Sequence, residues 1–244
     1  MSRTVAIIQA RMGSSRLPGK VLADIGGRSM LERVVRRAQR ARLLDEVVVA
    51  TTSDVRDDVI VAECARLGVR AFRGSENDVL DRYYGAARAF DASTIVRITS
   101  DCPLVDPELV DRVVDELFRQ HADYASNTLV LSYPRGLDAE AFPMASLATA
   151  WESATVSYER VHVTPFLYRR PERFKLVNVA CSEDVSTLRW TVDTPDDLKL
   201  VRDIFDRAAP PGDPSWEDVL AIVRREPALR AINAHIRQKA LEEG

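Results

Sequence analysis

The sequence predicts an α/β fold, a three-layer α/β/α domain on a mainly parallel sheet. Three observations carry this. Short β-branched runs alternate with stretches of helical period, capping residues mark several of the helical stretches, and the first run leads into a long loop rich in glycine, serine and arginine. With 244 residues and 46% hydrophobic composition, the chain can bury one substantial core or a core with a smaller lobe.

The elements follow in order. Thr4-Val5-Ala6-Ile7-Ile8 reads as a buried strand. Ser29 and Glu32 have capping-box spacing ahead of a helix with Met30, Leu31, Val34, Val35 and Ala38 on one face. Residues 46–50 form a second strand, 55–67 a helix closed by Gly68, 69–72 a third strand and 79–90 another helix. Thr94 to Thr99 is again strand-like, and Asp106-Pro107 supplies the N-cap and first residue of the next helix. Right-handed βαβ units follow from such alternation. Residues 123–180 lose the rhythm and are expected to make a small inserted lobe for substrate or dimerisation. The strand–helix pattern returns at 186–192, with a helix opening at Thr194-Pro195. Pro210-Pro211-Gly212 marks a turn, and the tail, 209–244, reads as helical to about Ala240.

Composition excludes several classes. Lys and Arg number 34 against 37 Asp and Glu, a net charge of −3, so no global field attracts nucleic acid. No apolar run approaches the roughly 20 residues of a membrane span, and the short first strand lacks the pattern of a signal peptide. Cys64, Cys102 and Cys181 are far apart and form no C-x-x-C pair, so three thiols in a reducing cytoplasm are expected. Neither a Gly-x-Ser-x-Gly elbow nor a histidine cluster is present.

The loop from Ala10 to Lys20 holds two glycines, two serines, two arginines and a lysine directly after the first strand. Ligands bind at the carboxyl ends of parallel strands. Small residues such as Gly13 and Ser14 let backbone amides approach phosphate, and Arg11, Arg16 and Lys20 bring positive charge. A triphosphate fits. The loop is not a P-loop, since five residues separate Gly13 from Gly19 and Val21 follows Lys20; the dinucleotide fingerprint is absent.

Two acids complete the pattern. Asp101 follows the 94–99 strand and Asp193 follows 186–192, so both can face one cleft and offer hard oxygens to Mg²⁺. Taken singly, Asp101 is equally a turn cap and Asp193 a helix-start residue.

Ile8-Gln9-Ala10-Arg11 through Leu17-Pro18-Gly19-Lys20 resembles the signature of the cytidylyltransferases that activate acidic sugars. These include the sialic-acid and 3-deoxy-manno-octulosonate CMP synthetases. The resemblance is nearest to the branch of spore coat polysaccharide biosynthesis protein F and spans about residues 3–208. It implies CMP transfer from CTP to the anomeric hydroxyl of a 2-keto sugar acid, with release of pyrophosphate, for surface polysaccharide biosynthesis. It also implies a sheet like that of nucleotide-diphosphosugar transferases and a homodimer, with Arg11, Lys20 and Asp101 catalytic and Asp101 and Asp193 on Mg²⁺; a cytoplasmic enzyme is expected from the lack of a signal-like or membrane-spanning run.

The same resemblance puts Ala10, Thr99, Ser100, Arg73 and Asp78 around the nucleotide. Thr99 stands where related synthetases often carry Gln, which leaves base selection to main-chain groups of Ala10 and Arg11. Asp78 can accept from the exocyclic amine of cytosine, or be only N-terminal helix charge. Asp138, Glu140 and His162 fall in stretches that resemble two further segments of the family, and with Asn127 they are candidates for contacts to sugar hydroxyls. Asp138 and Glu140 can equally be a solvated strand face, and His162 a subunit contact. Alternatives of the same fold are transfer to a sugar phosphate or other alcohol, a glycosyltransferase, or a non-catalytic nucleotide-binding protein. Asp101-Cys102-Pro103 lacks the second acid of the Asp-x-Asp glycosyltransferase motif.

Overall fold

The structure is a computed structural model that describes residues 3–208 and 213–238. The expected turn at 210–212 and the end of the tail, 239–244, lie outside the described residues. In chain order the first half comprises β1 (Thr4–Gln9), β2 (Asp24–Ile25), β3 (Arg28–Ser29), α1 (Met30–Ala38), β4 (Glu46–Thr52), α2 (Asp58–Leu67), β5 (Ala71–Gly74), α3 (Val79–Ala89), β6 (Thr94–Thr99) and α4 (Pro107–Arg119). The second half comprises β7 (Tyr124–Ser126), β8 (Glu140–Pro143), α5 (Met144–Ser153), α6 (Ser157–His162), α7 (Pro165–Tyr168), β9 (Leu176–Asn178), α8 (Pro195–Arg207), α9 (Trp216–Arg225) and α10 (Pro227–Ile232).

Seven strands form one sheet in the order β5-β4-β1-β6-β8-β7-β9. The β5-β4-β1-β6 half is parallel throughout, and β8 runs antiparallel to both neighbours. A sheet covered on both faces follows from the strand sequence. Val5 and Ile7 pack with Leu80, Tyr83, Leu147 and Phe166 on one side. Ala6 and Ile8 pack with Leu31, Val34, Val110 and Val201 on the other. Side chains alternate across a strand, so four consecutive apolar residues feed two cores at once.

Capping sets most of the boundaries. The Ser29 and Asp106 side chains accept from amides of the first turns of α1 and α4, and Thr194 forms a reciprocal capping box with Asp197. The third strand starts two residues later than the sequence suggests. Gly68 is left-handed at φ 68, and the Val69 amide turns back to the Cys64 carbonyl at 2.9 Å, so Val69 completes the helix end instead of entering the ladder.

β7, β8 and β9 of the 123–180 segment join the main sheet. Two other expectations are corrected. Residues 186–192 make only a single parallel bridge, Arg189 to Arg135. Trp190 N–H donates to Arg135 O at 2.7 Å and Val192 N–H to Asp101 O at 2.8 Å, so the segment is strung between two loops. The tail helix breaks before Pro227, whose ring cannot continue α9, and α10 ends at Ile232.

Candidate active site

Parallel register aligns Gln9 with Ala50 on one side and Thr99 on the other, so the loops leaving β1, β4 and β6 emerge side by side. The N-terminal loop is pinned where it leaves the sheet. Ala10 N–H donates to Ala50 O at 3.1 Å, and Met12 N–H to Asp57 Oδ1 at 2.7 Å. Asp57 is buried and also accepts from the Thr52 amide and hydroxyl. The Ser14 and Gly19 amides both donate to Met12 O, which folds the loop on itself. Gly19 sits at φ 71, a conformation open to glycine, and begins the 3₁₀ turn Lys20–Leu22.

That turn delivers Lys20 to the two acids. Its ammonium donates to Asp101 Oδ2 at 2.9 Å, Asp193 Oδ1 at 2.8 Å and the Val192 carbonyl at 2.7 Å. All three of its donors therefore have oxygen partners. Burial alone would lower the pKa of Lys20, but Asp101 and Asp193 together raise it. Burial likewise works against an ionised Asp101, and Lys20 with a Thr99 hydrogen bond still holds it below the usual carboxylate value. Asp193 is held further by Arg16 at 2.9 Å and Arg189 at 2.8 Å. Arg189 also binds Asp197, which is fully buried and closes the capping box of α8.

Two adjoining cavities meet at Thr99 and His162. The first, ≈ 470 Å³, is lined by Ala10, Arg11, Ser14, Arg16, Lys20, Ser100, Asp101 and Asp193 among others. The second, ≈ 510 Å³, is lined by Arg97, Arg135, Asp138, Glu140, Thr164 and Tyr168 together with Leu129 and Leu131. Asp138 lies just before β8 instead of inside a strand. Burial pushes its carboxyl up to about 6 despite the nearby Arg135.

Several other residues expected at the site are bonded within the chain. Asn127 is buried and spends its amide on Leu137 O and the Ala139 amide, at 2.9 Å each, so it ties a loop and lines neither cavity. Asp78 caps α3 and pairs with Arg160, the contacts the helix-charge reading expects, and lines neither cavity. Arg73 turns away to Asp58 and the Thr52 and Asp54 carbonyls. Gly13 is in the loop but does not line the cavity. Glu140 faces the second cavity, yet its carboxylate is bound by Arg97 and by the Tyr124 hydroxyl at 2.8 Å.

Sequence reasoning passed over Asp57, over Arg82 in the wall of the first cavity and over Arg135 in that of the second. A signal existed for Asp57, because it follows the β4 strand, whose end must lie beside that of β1. Among the described residues no group of three or more His, Cys, Asp and Glu is arranged to hold a metal. A cation here would take two carboxylates from the chain and its other oxygens from phosphate and water.

The family model for cytidylyltransferases matches residues 5–205. The chain belongs to the cytidylyltransferase family. It is 38% identical to an uncharacterised protein of Methanocaldococcus jannaschii, over 99% of this chain and 98% of that one. It is 34% identical to the spore coat polysaccharide biosynthesis protein SpsF of Bacillus subtilis, over 93% and 96%. A 3-deoxy-manno-octulosonate cytidylyltransferase of Geobacter sulfurreducens is 41% identical, but over only 46% of this chain and 44% of its own length. Among solved structures, a cytidylyltransferase of Leptospira borgpetersenii superposes with TM-score 0.91 at 30% identity, covering 98% of this chain and 100% of that one. A CMP:2-keto-3-deoxy-manno-octonic acid synthetase complexed with CTP shares the fold, with TM-score 0.63 at 20% identity over 84% and 99%. This cytidylyltransferase is thus a nucleotidyltransferase of a CTP-using family. None of its described helices is long and apolar enough to cross a membrane.

Proposed function

We propose that the enzyme transfers CMP from CTP to the anomeric hydroxyl of a 2-keto sugar acid and releases pyrophosphate. The observation that carries this reading is the convergence of Lys20, Asp101 and Asp193 at one point in a cavity that Arg11 and Arg16 also line, with a second polar cavity opening beside it. The nucleotide takes the first cavity and the acceptor the second. Names borne by relatives, an octulosonate cytidylyltransferase and a spore coat polysaccharide protein, favour an acidic sugar for a surface polysaccharide.

In this reading the acceptor hydroxyl attacks the α-phosphorus, the bond to the β-phosphate oxygen breaks, and the hydroxyl proton passes to solvent. Arg11, Arg16 and Lys20 hold the phosphate oxygens and stabilise the charge that grows on departing pyrophosphate. Thr99 and His162, lining both cavities, stand where the two substrates meet. Asp101 and Asp193 fit Mg²⁺, because two hard carboxylates already converge on a cation, the Lys20 ammonium. When bound, Mg²⁺ neutralises phosphate charge and lowers the pKa of a coordinated hydroxyl. The reading includes a cytoplasmic enzyme, and a homodimer through the 123–180 segment, where Val130, Leu131 and Val156 are exposed.

The test is a pyrophosphate-release assay with Mg²⁺, crossing CTP, UTP, ATP and GTP against octulosonic acids, nonulosonic acids and sugar 1-phosphates. Release that needs both CTP and a sugar acid supports the reading. Release with a sugar phosphate and none with any sugar acid overturns the acceptor.

A further inference from the structure

We propose that Arg135 selects an acidic acceptor by holding its carboxylate in the second cavity. This rests on the acceptor reading above. Two arginines line that cavity. Arg97 is buried and already engaged, with Glu140 as ion partner and Gln9 Oε1 at 3.1 Å. Arg135 lines the same wall, yet among the described residues its guanidinium makes no hydrogen bond or ion pair. A guanidinium facing a polar cavity in this state is ready for a ligand anion.

The backbone holds Arg135 in one place. Its N–H donates to Leu188 O at 3.0 Å, and its carbonyl accepts from Trp190 N–H at 2.7 Å. The next residue, Gly136, has φ +103, and a Cβ there would lie 2.5 Å from Thr191 N and 2.6 Å from Trp190 C. Any side chain at 136 would push the two segments apart. The 190–193 segment ends at Asp193, so the same clamp sets Arg135 relative to the convergence point of Lys20, Asp101 and Asp193. Preorganisation of this kind lets a single charged contact discriminate strongly.

The chemistry of the wall favours a carboxylate over a phosphate. One unengaged guanidinium matches one planar monoanion in a two-pronged hydrogen bond. A phosphate dianion would bring two charges to that single free guanidinium, beside the Asp138 carboxylate. Thr128, Thr164, Tyr168 and Asp138 supply partners for sugar hydroxyls, and a polyhydroxylated acid uses both kinds of contact.

The experiment compares wild type with Arg135→Gln and Arg135→Lys. It measures kcat/KM for an active sugar acid and for its neutral carboxamide, and the CTP Kd by calorimetry. We expect Arg135→Gln to lose on the order of 10²-fold on the acid with little change on the amide, the CTP Kd staying within about twofold. Arg135→Lys retains part of the preference for the acid, since it keeps the charge but not the fork. Equal losses on acid and amide, or an unchanged preference for the acid, overturn the assignment to Arg135 alone. A wild type active on sugar phosphates and inactive on every sugar acid overturns the acceptor reading and this assignment together.

Discussion

Replacing Lys20 by methionine removes the ammonium around which Asp101, Asp193 and the Val192 carbonyl are gathered. Each ion contact is 2.8–2.9 Å long, which at an effective dielectric of about 20 corresponds to roughly 6 kcal/mol of attraction per pair. Desolvation of three charged groups offsets much of it, and removing one partner of a buried pair costs about 3–5 kcal/mol. Asp193 keeps Arg16 and Arg189, whereas Asp101 loses its ion partner and its side chain is 26% exposed. The expected loss is therefore about 2–4 kcal/mol, or about 5–15 °C in Tm for a chain of this size. The readout is urea and thermal unfolding of wild type and Lys20→Met, each with and without millimolar MgCl₂. If the two carboxylates form the cation site, Mg²⁺ restores more stability to the variant than to wild type, where it must displace the ammonium. A variant as stable as wild type, or an equal response of both proteins to Mg²⁺, refutes the reasoning.

Three further outcomes follow from the geometry. Asp138 binds its proton more tightly folded than unfolded, since burial moves it from 3.8 to about 6. Asp138 therefore withdraws stability as pH rises from about 4 to about 6, and Asp138→Asn should be up to about 3 kcal/mol more stable than wild type near neutral pH with no gain near pH 4, as read by urea unfolding. Glu140→Gln strands the buried Arg97 guanidinium and should cost about 3–5 kcal/mol of stability; a fully stable variant that has lost only acceptor turnover would show that Glu140 serves the substrate instead. Asp57→Ala unpins Met12 and the loop behind it, so the KM for CTP should rise about tenfold or more while the acceptor KM changes little; an unchanged CTP KM would mean the loop holds its shape without that anchor.

Local sequence determined much of the fold. Four apolar residues in β1, the Asp106-Pro107 start of α4, the Thr194 cap of α8 and the Gly68 stop of α2 act within a turn or two, through periodicity and capping, and were legible without a partner. The basic loop was legible too, because small and cationic residues following a buried first strand have few other uses. Tertiary structure alone decided what the polar side chains meet. Lys20 reaches acids 81 and 173 residues away only because the order β4-β1-β6 sets those loops together and a strung-out 186–192 segment brings in Asp193. The same long-range pairing drew Asn127, Asp78 and Glu140 into structural bonds and left Arg135 facing the cavity. Burying a polar group requires a partner, and that partner is chosen by sheet order and loop path, which no local pattern encodes.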